Sequence, residues 1–265
     1  MPSPLSAVSI IVPTFREAAN IKPLVERVFA ATRGAGIEAE LILVDDDSQD
    51  GTEAVVGSLR SQYLVRLIVR RAARGLSSAV LAGFEEAEFD RFVVLDADLQ
   101  HPPEMIPALL SRLDESGCDF AVATRYGGEG FIDPTWPFPR RWASRLATLL
   151  ARPLAPLSDP MSGFFALHRR TWERAAKLDP IGYKIALELY VKAGCRRPGE
   201  VPIRFAARQA GASKLSSAVA WRCLLHLGRL YWFRFPLATV GVVTAGVSAV
   251  IALVLWLIGI ASSRG

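Results

Sequence analysis

The stretch from Arg91 to Glu104, RFVVLDADLQHPPE, holds the residues best suited to chemistry. An apolar run, Phe92 to Leu95, reads as a buried strand that stops at Asp96-Ala97-Asp98, two carboxylates either side of one small residue. In open α/β sheets ligands collect beyond the carboxyl ends of the strands, so carboxylates at that boundary face whatever binds. Hard divalent cations such as Mg²⁺ or Mn²⁺ take oxygen ligands and bridge carboxylates to phosphate oxygens, and Gln100 offers an amide oxygen beside Asp98. The competing reading is a turn, shaped by Asp98, with His101-Pro102-Pro103 starting the next helix.

Other elements present polar clusters in the same way. Val8 to Val12 reads as a strand ending at Pro13-Thr14-Phe15-Arg16-Glu17, followed by a helical pattern from Asn20 to Arg33. Leu41 to Val44 is a second strand, ended by Asp45-Asp46-Asp47 and then Ser48-Gln49-Asp50-Gly51-Thr52, where Asp50 or Thr52 caps a helix running to Leu59. A crowded acidic triplet repels itself unless hydrogen bonds or a ligand compensate, and nucleoside hydroxyls or a base N–H are suitable donors. Leu64 to Val69 gives a third strand and Gly75 to Glu88 a helix. Arg70, Arg71 and Arg74 between them read equally as a solvated basic turn or as phosphate-steering charge. Met105 to Glu115 is helical, and the strand Asp119 to Ala123 ends in Thr124-Arg125-Tyr126. This βα alternation predicts an α/β fold with a mostly parallel sheet and helices on both faces.

Beyond it the pattern changes. Residues 127–139, rich in Gly, Pro, Trp and acids, read as a mobile loop, and Arg140 and Arg141 open an amphipathic helix to Arg152. Ser158 to Phe164 leads into a strand ending at Leu167, a helix covers Ala186 to Ala193, and Val201 to Phe205 precedes a loop from Arg208 to Lys214 that joins two cations to a glycine.

The chain has 265 residues and is 51% apolar, with a mean hydropathy of +0.26. The excess sits at the C-terminus, where Leu237 to Ile260 contains no charged residue. That run predicts a transmembrane helix over 236–260. Arg222, Arg229 and Arg234 precede it and only Arg264 follows, so the sequence predicts a single-pass membrane protein with residues 1–214 as a cytosolic catalytic domain, on a bacterial plasma membrane or the endoplasmic reticulum. Residues 215–235 read as an amphipathic helix in the membrane interface, with Trp221, Tyr231 and Trp232 at headgroup depth and Arg222, His226 and Arg229 along one face, or as a helix packed on the catalytic domain. The net charge of +5 accompanies no nucleic-acid motif, so membrane lipids and a phosphorylated substrate account for it better than nucleic acid. Cys118, Cys195 and Cys223 have neither zinc-site nor disulfide-framework spacing and read as reduced thiols.

Taken in order, IVPTFREAANI, LVDDDSQDGT, LDADLQHPPE, TRY, SDPMSGFFALHRR, GYKIALE and RQAGASKL resemble the polyprenyl-phosphate sugar transferases of the family 2 glycosyltransferases, in particular the dolichyl-phosphate mannosyltransferases, from about Val8 to Lys214. The resemblance implies the nucleotide-diphospho-sugar transferase fold known as GT-A, and transfer of mannose from GDP-mannose to dolichyl or undecaprenyl phosphate. It implies that Pro13, Phe15 and Glu17 border the nucleotide, with Val44 and Asp46 on the base and ribose side. Asp96, Ala97 and Asp98 then meet ribose, metal and diphosphate, with Asp98 and Gln100 as ligands of Mg²⁺ or Mn²⁺. Arg125, Arg208 and Lys214 match cations around the phosphates, Arg140 or Arg141 helps to receive the lipid phosphate with Arg125, and Ser162 lies near the acceptor. Two departures bear on donor selectivity: Phe15 stands where Tyr is frequent, and Asp47 where the wider family has Gly.

Charge alone suggests the mechanism. A phosphate monoester is already anionic, so it attacks without a general base, and none of His101, His168 and His226 has an obvious nucleophile beside it. The barrier lies in bringing two anions together, which a metal on Asp98 with Arg125, Arg208 and Lys214 would lower, inverting the anomeric centre in one displacement. The rival expectations are transfer of glucose from UDP-glucose to a polyprenyl phosphate, and a non-catalytic, membrane-tethered nucleotide-binding module.

Overall fold

The computed structural model describes residues 7–72, 74–126, 131–132, 138–179, 181–182, 184–205, 217–241, 244 and 248, with the backbone alone at 131–132, 138–141 and 217–219. Its centre is a seven-stranded sheet made of β1 (Val8–Thr14), β2 (Ala39–Asp45), β3 (Val65–Val69), β4 (Arg91–Val94), β5 (Phe120–Thr124), β7 (Phe165–His168) and β8 (Pro198–Pro202), in the order β3-β2-β1-β4-β7-β5-β8. Strand β6 (Phe131–Ile132) pairs separately with β9 (Arg204–Phe205). Side chains alternate across the sheet. Ile10, Val12, Leu41 and Leu43 pack against α1 (Ala18–Gly34), α2 (Thr52–Leu59) and α4 (Ile106–Asp114) on one face. Ile11, Ile42 and Val44 pack with α3 (Leu76–Glu85), α7 (Ile185–Lys192) and part of α8 (Ser217–Arg234) on the other. Every residue of β1 and β2 is buried, as expected for central strands covered on both faces. The predicted three-layer α/β fold and most of its elements are therefore present.

One strand departs from the parallel expectation. β7 runs antiparallel to both neighbours, pairing Val94 and Val122 with Phe165, while β5 and β8 are parallel to each other. A four-residue apolar run says nothing about direction, because burial is the same either way. The short helix α6 (Arg169–Glu173) after it was not expected from the sequence.

The opposite edge of the sheet is closed by internal polar contacts. The buried Glu40 carboxylate accepts from Ser9 Oγ (2.5 Å), the Glu88 backbone N–H (2.6 Å) and Arg66 Nη2 (2.7 Å). Arg91 bridges the Ala7 carbonyl (3.1 Å) and Asp114 (2.7 Å), and Arg169 donates to the carbonyls of Ala87 and Phe89.

The C-terminal region corrects the membrane expectation. Among the described residues no helix is long and apolar enough to cross a membrane, so the predicted single-pass localisation does not stand. At Phe235-Pro236 proline disfavours helical geometry in the residue before it, α8 ends at Arg234, and helix resumes over 236–241. Most of the predicted 236–260 helix, at 242–243, 245–247 and 249–260, lies outside the described residues, as do residues 261–265. In α8 itself His226 is not on a solvent face. It is buried with Leu227 and Leu230 near Glu188 of α7, while Arg229 pairs with Asp179 (2.9 Å) at the surface. One face of α8 is thus docked on the domain. Phenolic Tyr231 donates to the Leu150 carbonyl (2.8 Å), tying α8 to α5 (Phe138–Ala151). The three cysteines are free, and burial pushes the Cys195 thiol up to about 12, as suits an inert core thiol.

Close packing at the centre gives a direct test. A Cβ on Gly83 of α3 would sit 2.4 Å from Ile11 Cγ2 and 3.3 Å from Val44 Cγ2, both in the core. Gly83→Val is expected to lower unfolding stability by about 1–3 kcal/mol through overpacking, measured by urea denaturation.

Candidate active site

The strand directions gather the predicted residues at one edge. Ile11 pairs with both Ile42 and Val94, so Pro13 lies opposite Val44, and Asp96 follows two residues beyond Val94 at the same end. Arg125 follows β5 there as well. Because β7 is reversed, the turn Asp159–Gly163 enters the sheet at that edge, and the Phe164 carbonyl accepts from the Ala123 N–H (2.9 Å). A Cβ on Gly163 would meet the Asp96 carboxylate oxygens at 3.4 and 3.5 Å. Expected acceptor-side and donor-side residues are therefore direct neighbours.

The Asp96–Gln100 turn is tightly wound. Leu99 is buried at φ +61°, a conformation that side chains with a Cβ adopt only under constraint. Asp98 and Gln100 are also buried, and the Gln100 N–H donates to Asp98 Oδ1 (3.1 Å). His101 packs between Phe164 and Phe205, and its Nδ1 accepts from the Asp96 N–H (3.2 Å). Burial lowers the imidazole's pKa, outweighing the opposing pull of Asp96 and Asp98, and a neutral ring is the form that can accept at Nδ1. His101 thereby supports the turn, in keeping with the structural role read from sequence.

Among the described residues no cluster of three or more His, Cys, Asp or Glu could hold a metal alone. The donors at this turn are oxygens from Asp96, Asp98 and Gln100. Such a set fits a hard cation that takes its remaining ligands from water and substrate phosphates, as Mg²⁺ does, and does not fit a zinc-type N/S site.

Arg125 is fixed with unusual firmness. Its Nε and Nη2 donate to Asp159 Oδ2 (2.6 Å) and Oδ1 (2.9 Å), a bidentate pair in which Asp159 is fully buried. The guanidinium also lies 5.5 Å from the ring centroid of Tyr126 and 5.3 Å from that of Phe205. Desolvation pushes the Asp159 carboxyl up, but the hydrogen bonds and charge of Arg125 outweigh it and hold the group below its usual range. Ser158 donates to Glu200 of β8 through both its N–H (2.5 Å) and its hydroxyl (2.7 Å), and its Oγ lies 2.6 Å from Thr124 Oγ1. Ser162 is buried, with its hydroxyl turned back on Phe164 in the same loop.

Several of the residues expected to border a nucleotide acquire internal partners. Asp46 accepts from Arg70 Nε (2.8 Å) and the Gly75 N–H (2.7 Å), and Asp45 accepts from the Ser48 N–H (2.8 Å) and hydroxyl. The acidic triplet is thus compensated largely from within, and Arg70 belongs to a nearly buried pair, not to a solvated turn. Asp50 accepts from both Thr52 (2.7 Å, hydroxyl) and the Ala18 N–H (3.0 Å), joining the starts of α2 and α1. Glu17 accepts from Asn20 (2.6 Å), and Phe15 carries Arg16 and Arg74 over its ring. Ala97 is buried beside Asp98. Arg140 and Arg141 lie in the first turns of α5, with only their backbone described, and Arg208 and Lys214 lie outside the described residues. Sequence reasoning missed Asp159, although it falls in a motif it singled out, SDPMSG.

A mostly parallel sheet carrying an Asp-x-Asp turn beside a reversed strand is the arrangement of a GT-A glycosyltransferase. The glycosyl transferase family 2 model matches residues 9–175, and the chain belongs to that family. Among its relatives is the dolichol-phosphate mannosyltransferase of Mycosarcoma maydis, 45% identical over 256 residues, 94% of this chain and 86% of the relative. The Saccharomyces cerevisiae dolichol-phosphate mannosyltransferase is 47% identical over 236 residues, 86% of this chain and 88% of that protein. Glucosyl-3-phosphoglycerate synthase from Mycobacterium tuberculosis, solved with Mn²⁺, UDP and glucosyl-3-phosphoglycerate, shares the fold with a TM-score of 0.65 at 18% identity, over 85% of this chain and 79% of that one.

Asp159→Asn is expected to cost about 3–5 kcal/mol by leaving Arg125 without its counter-charge. Because the folded-state pKa of Asp159 is depressed, its stabilisation is complete above the unfolded carboxyl value and is lost as pH falls through the folded one. The difference between wild type and variant should therefore shrink below about pH 4 in denaturant titrations.

Proposed function

We propose that this chain transfers mannose from GDP-mannose to the phosphate of a dolichyl or other polyprenyl lipid, with inversion and with release of GDP. The observation that carries the reading is the placement of the Asp159–Gly163 turn against Asp96 by the reversed strand β7, which sets an acceptor loop beside a diphosphate-sugar edge. The two dolichol-phosphate mannosyltransferase relatives support the same chemistry over most of the chain.

Asp98 and Gln100, with Asp96, would hold Mg²⁺ or Mn²⁺, whose charge when bound offsets that of the diphosphate as it leaves. Pro13 and Val44 form the apolar wall at the strand ends, with Phe15, Glu17 and Asp46 alongside on the nucleotide side. Arg125, locked on Asp159, supplies a preorganised positive charge that needs no rearrangement when the acceptor phosphate arrives. Ser162 keeps the acceptor turn in shape, and Arg140, Arg141, Arg208 and Lys214 add cations from the flanking segments. The acceptor monoester brings its own anionic nucleophile, so no side chain has to remove a proton.

The lipid acceptor calls for a surface that tolerates apolar neighbours. Trp221 (63% exposed), Leu224, Leu225 and Trp232 on α8, together with Trp142 (58% exposed), Leu146 and Leu149 on α5, leave large apolar side chains in solvent. Such a concentration suits contact with a lipid surface, with basic residues such as Arg222 and Arg229 facing anionic headgroups.

Purified protein given labelled GDP-mannose, a polyprenyl phosphate and Mn²⁺ should form the lipid-linked mannose, and UDP-glucose should not replace the donor. Asp98→Ala should lose most metal-dependent turnover with its fold retained by circular dichroism, and full activity at saturating donor would remove Asp98 from the site. The double variant Trp221→Asp/Leu225→Asp should weaken co-flotation with phosphatidylglycerol-containing vesicles several-fold while leaving GDP-mannose affinity unchanged.

A further inference from the structure

Three short hydrogen bonds lie directly behind the Arg125–Asp159 pair and use neither of its side chains. Ser158 gives both its N–H (2.5 Å) and its hydroxyl (2.7 Å) to the Glu200 carboxylate, and its Oγ lies 2.6 Å from Thr124 Oγ1. Thr124 and Ser158 immediately precede Arg125 and Asp159, so two adjacent rungs join the loops, one of hydroxyls and one of charges. Thr124 Oγ1 also accepts from the Tyr126 N–H (3.1 Å) and lies 2.7 Å from the Tyr126 carbonyl oxygen, so it holds the backbone on both sides of Arg125. The chain of contacts ends on a single side chain, that of Glu200.

Glu200 belongs to β8, the last strand in the sheet order, where its Cα pairs with that of Val122 in β5. A glutamate on an edge strand commonly keeps its charge in water. Here both carboxylate oxygens are committed to one serine, in charge-assisted bonds that fix the turn at that residue. The residue so fixed is the neighbour of Asp159. Because Arg125 meets Asp159 through Nε and Nη2, a rotation of that carboxylate swings the Nη1 end of the guanidinium with it. A preorganised site tolerates only about 10–20° or about 0.5 Å of such movement.

We propose that Glu200 is a positioning residue for Arg125, acting through Ser158 to set the angle at which the guanidinium meets the acceptor phosphate. The proposal rests on the transferase reading above, in which Arg125 receives that phosphate, and adds to it a residue that acts without touching the acceptor. With its own hydrogen given to Glu200, the Ser158 hydroxyl oxygen can only accept from Thr124. An amide at position 200 would serve the same two groups with that direction reversed, its oxygen accepting from the Ser158 N–H and its N–H donating to Ser158 Oγ. The position therefore needs a planar side chain that meets Ser158 at two points, and a neutral amide of the same length meets that need.

The test compares wild type, Glu200→Ala, Glu200→Gln and Ser158→Ala in the same transfer assay, with polyprenyl phosphate varied at saturating GDP-mannose and Mn²⁺. Glu200→Ala should raise the acceptor KM about tenfold, with kcat changed less than KM and GDP-mannose affinity by calorimetry unaltered. Glu200→Gln should stay within about threefold of wild type in acceptor KM, and Ser158→Ala, which loses the hydroxyl and keeps the N–H, should fall between the two. A purely structural role would lower only the active fraction, so kcat and the urea midpoint of Glu200→Ala would drop at unchanged acceptor KM. That outcome, an equal loss of donor affinity, or a Glu200→Gln as impaired as Glu200→Ala would overturn the proposal. Should Glu200→Ala fail to fold, Ser158→Ala carries the same decision: a raised acceptor KM at unaltered donor affinity upholds the positioning role, and an unchanged one ends it. Absence of transfer by wild type would instead refute the transferase reading, so the two failures are distinguishable.

Discussion

The bidentate contact between Arg125 and Asp159 is the constraint on which the arrangement of this site depends. It joins the loop leaving β5 to the turn entering β7, two segments far apart in sequence that meet because their strands run in opposite directions. A buried ion pair is weak evidence for stability, since desolvation offsets much of its attraction. Its geometric effect is less ambiguous. With both oxygens of Asp159 engaged and aromatic rings on Tyr126 and Phe205 beside the guanidinium, the cation has little freedom to reorient.

Reversal of a single strand is what makes that contact available. In a fully parallel sheet the segment preceding β7 would emerge at the far edge, remote from the Asp-x-Asp turn. Antiparallel pairing with both β4 and β5 brings Gly163 against Asp96, and Ser158 is then held by Glu200 and Thr124. Pro13, Val44 and Asp96 need no such device, because they arrive together from parallel strands in register.

Much of this was legible in the sequence where local pattern carries the information. Short apolar runs ending in Asp, Thr, Pro or, for β3, Arg gave strands β1 to β5 and the edge at which they terminate, and the Asp96–Gln100 turn appeared where expected. Relations between distant segments were not legible. The direction of β7 leaves no trace in Phe165–His168, and Asp46 gave no sign that Arg70 and the Gly75 N–H would satisfy it. His226 looked like part of a basic face because its spacing matches Arg222 and Arg229, yet packing against α7 buries it. The uncharged run after Leu237 suggested a span, and most of that run lies outside the described residues.

The far edge of the sheet shows the opposite design. Glu40 is saturated by Ser9, Arg66 and the Glu88 amide, and Arg91 and Arg169 fasten the turn around it. The Glu40 carboxylate there is satisfied from within the protein, so that rim offers no free carboxylate to a solute. Sequence drift should accordingly be asymmetric: at the rim around Glu40 replacements act on folding alone, whereas at the opposite rim a change near the buried Arg125–Asp159 pair acts on folding and on the site together.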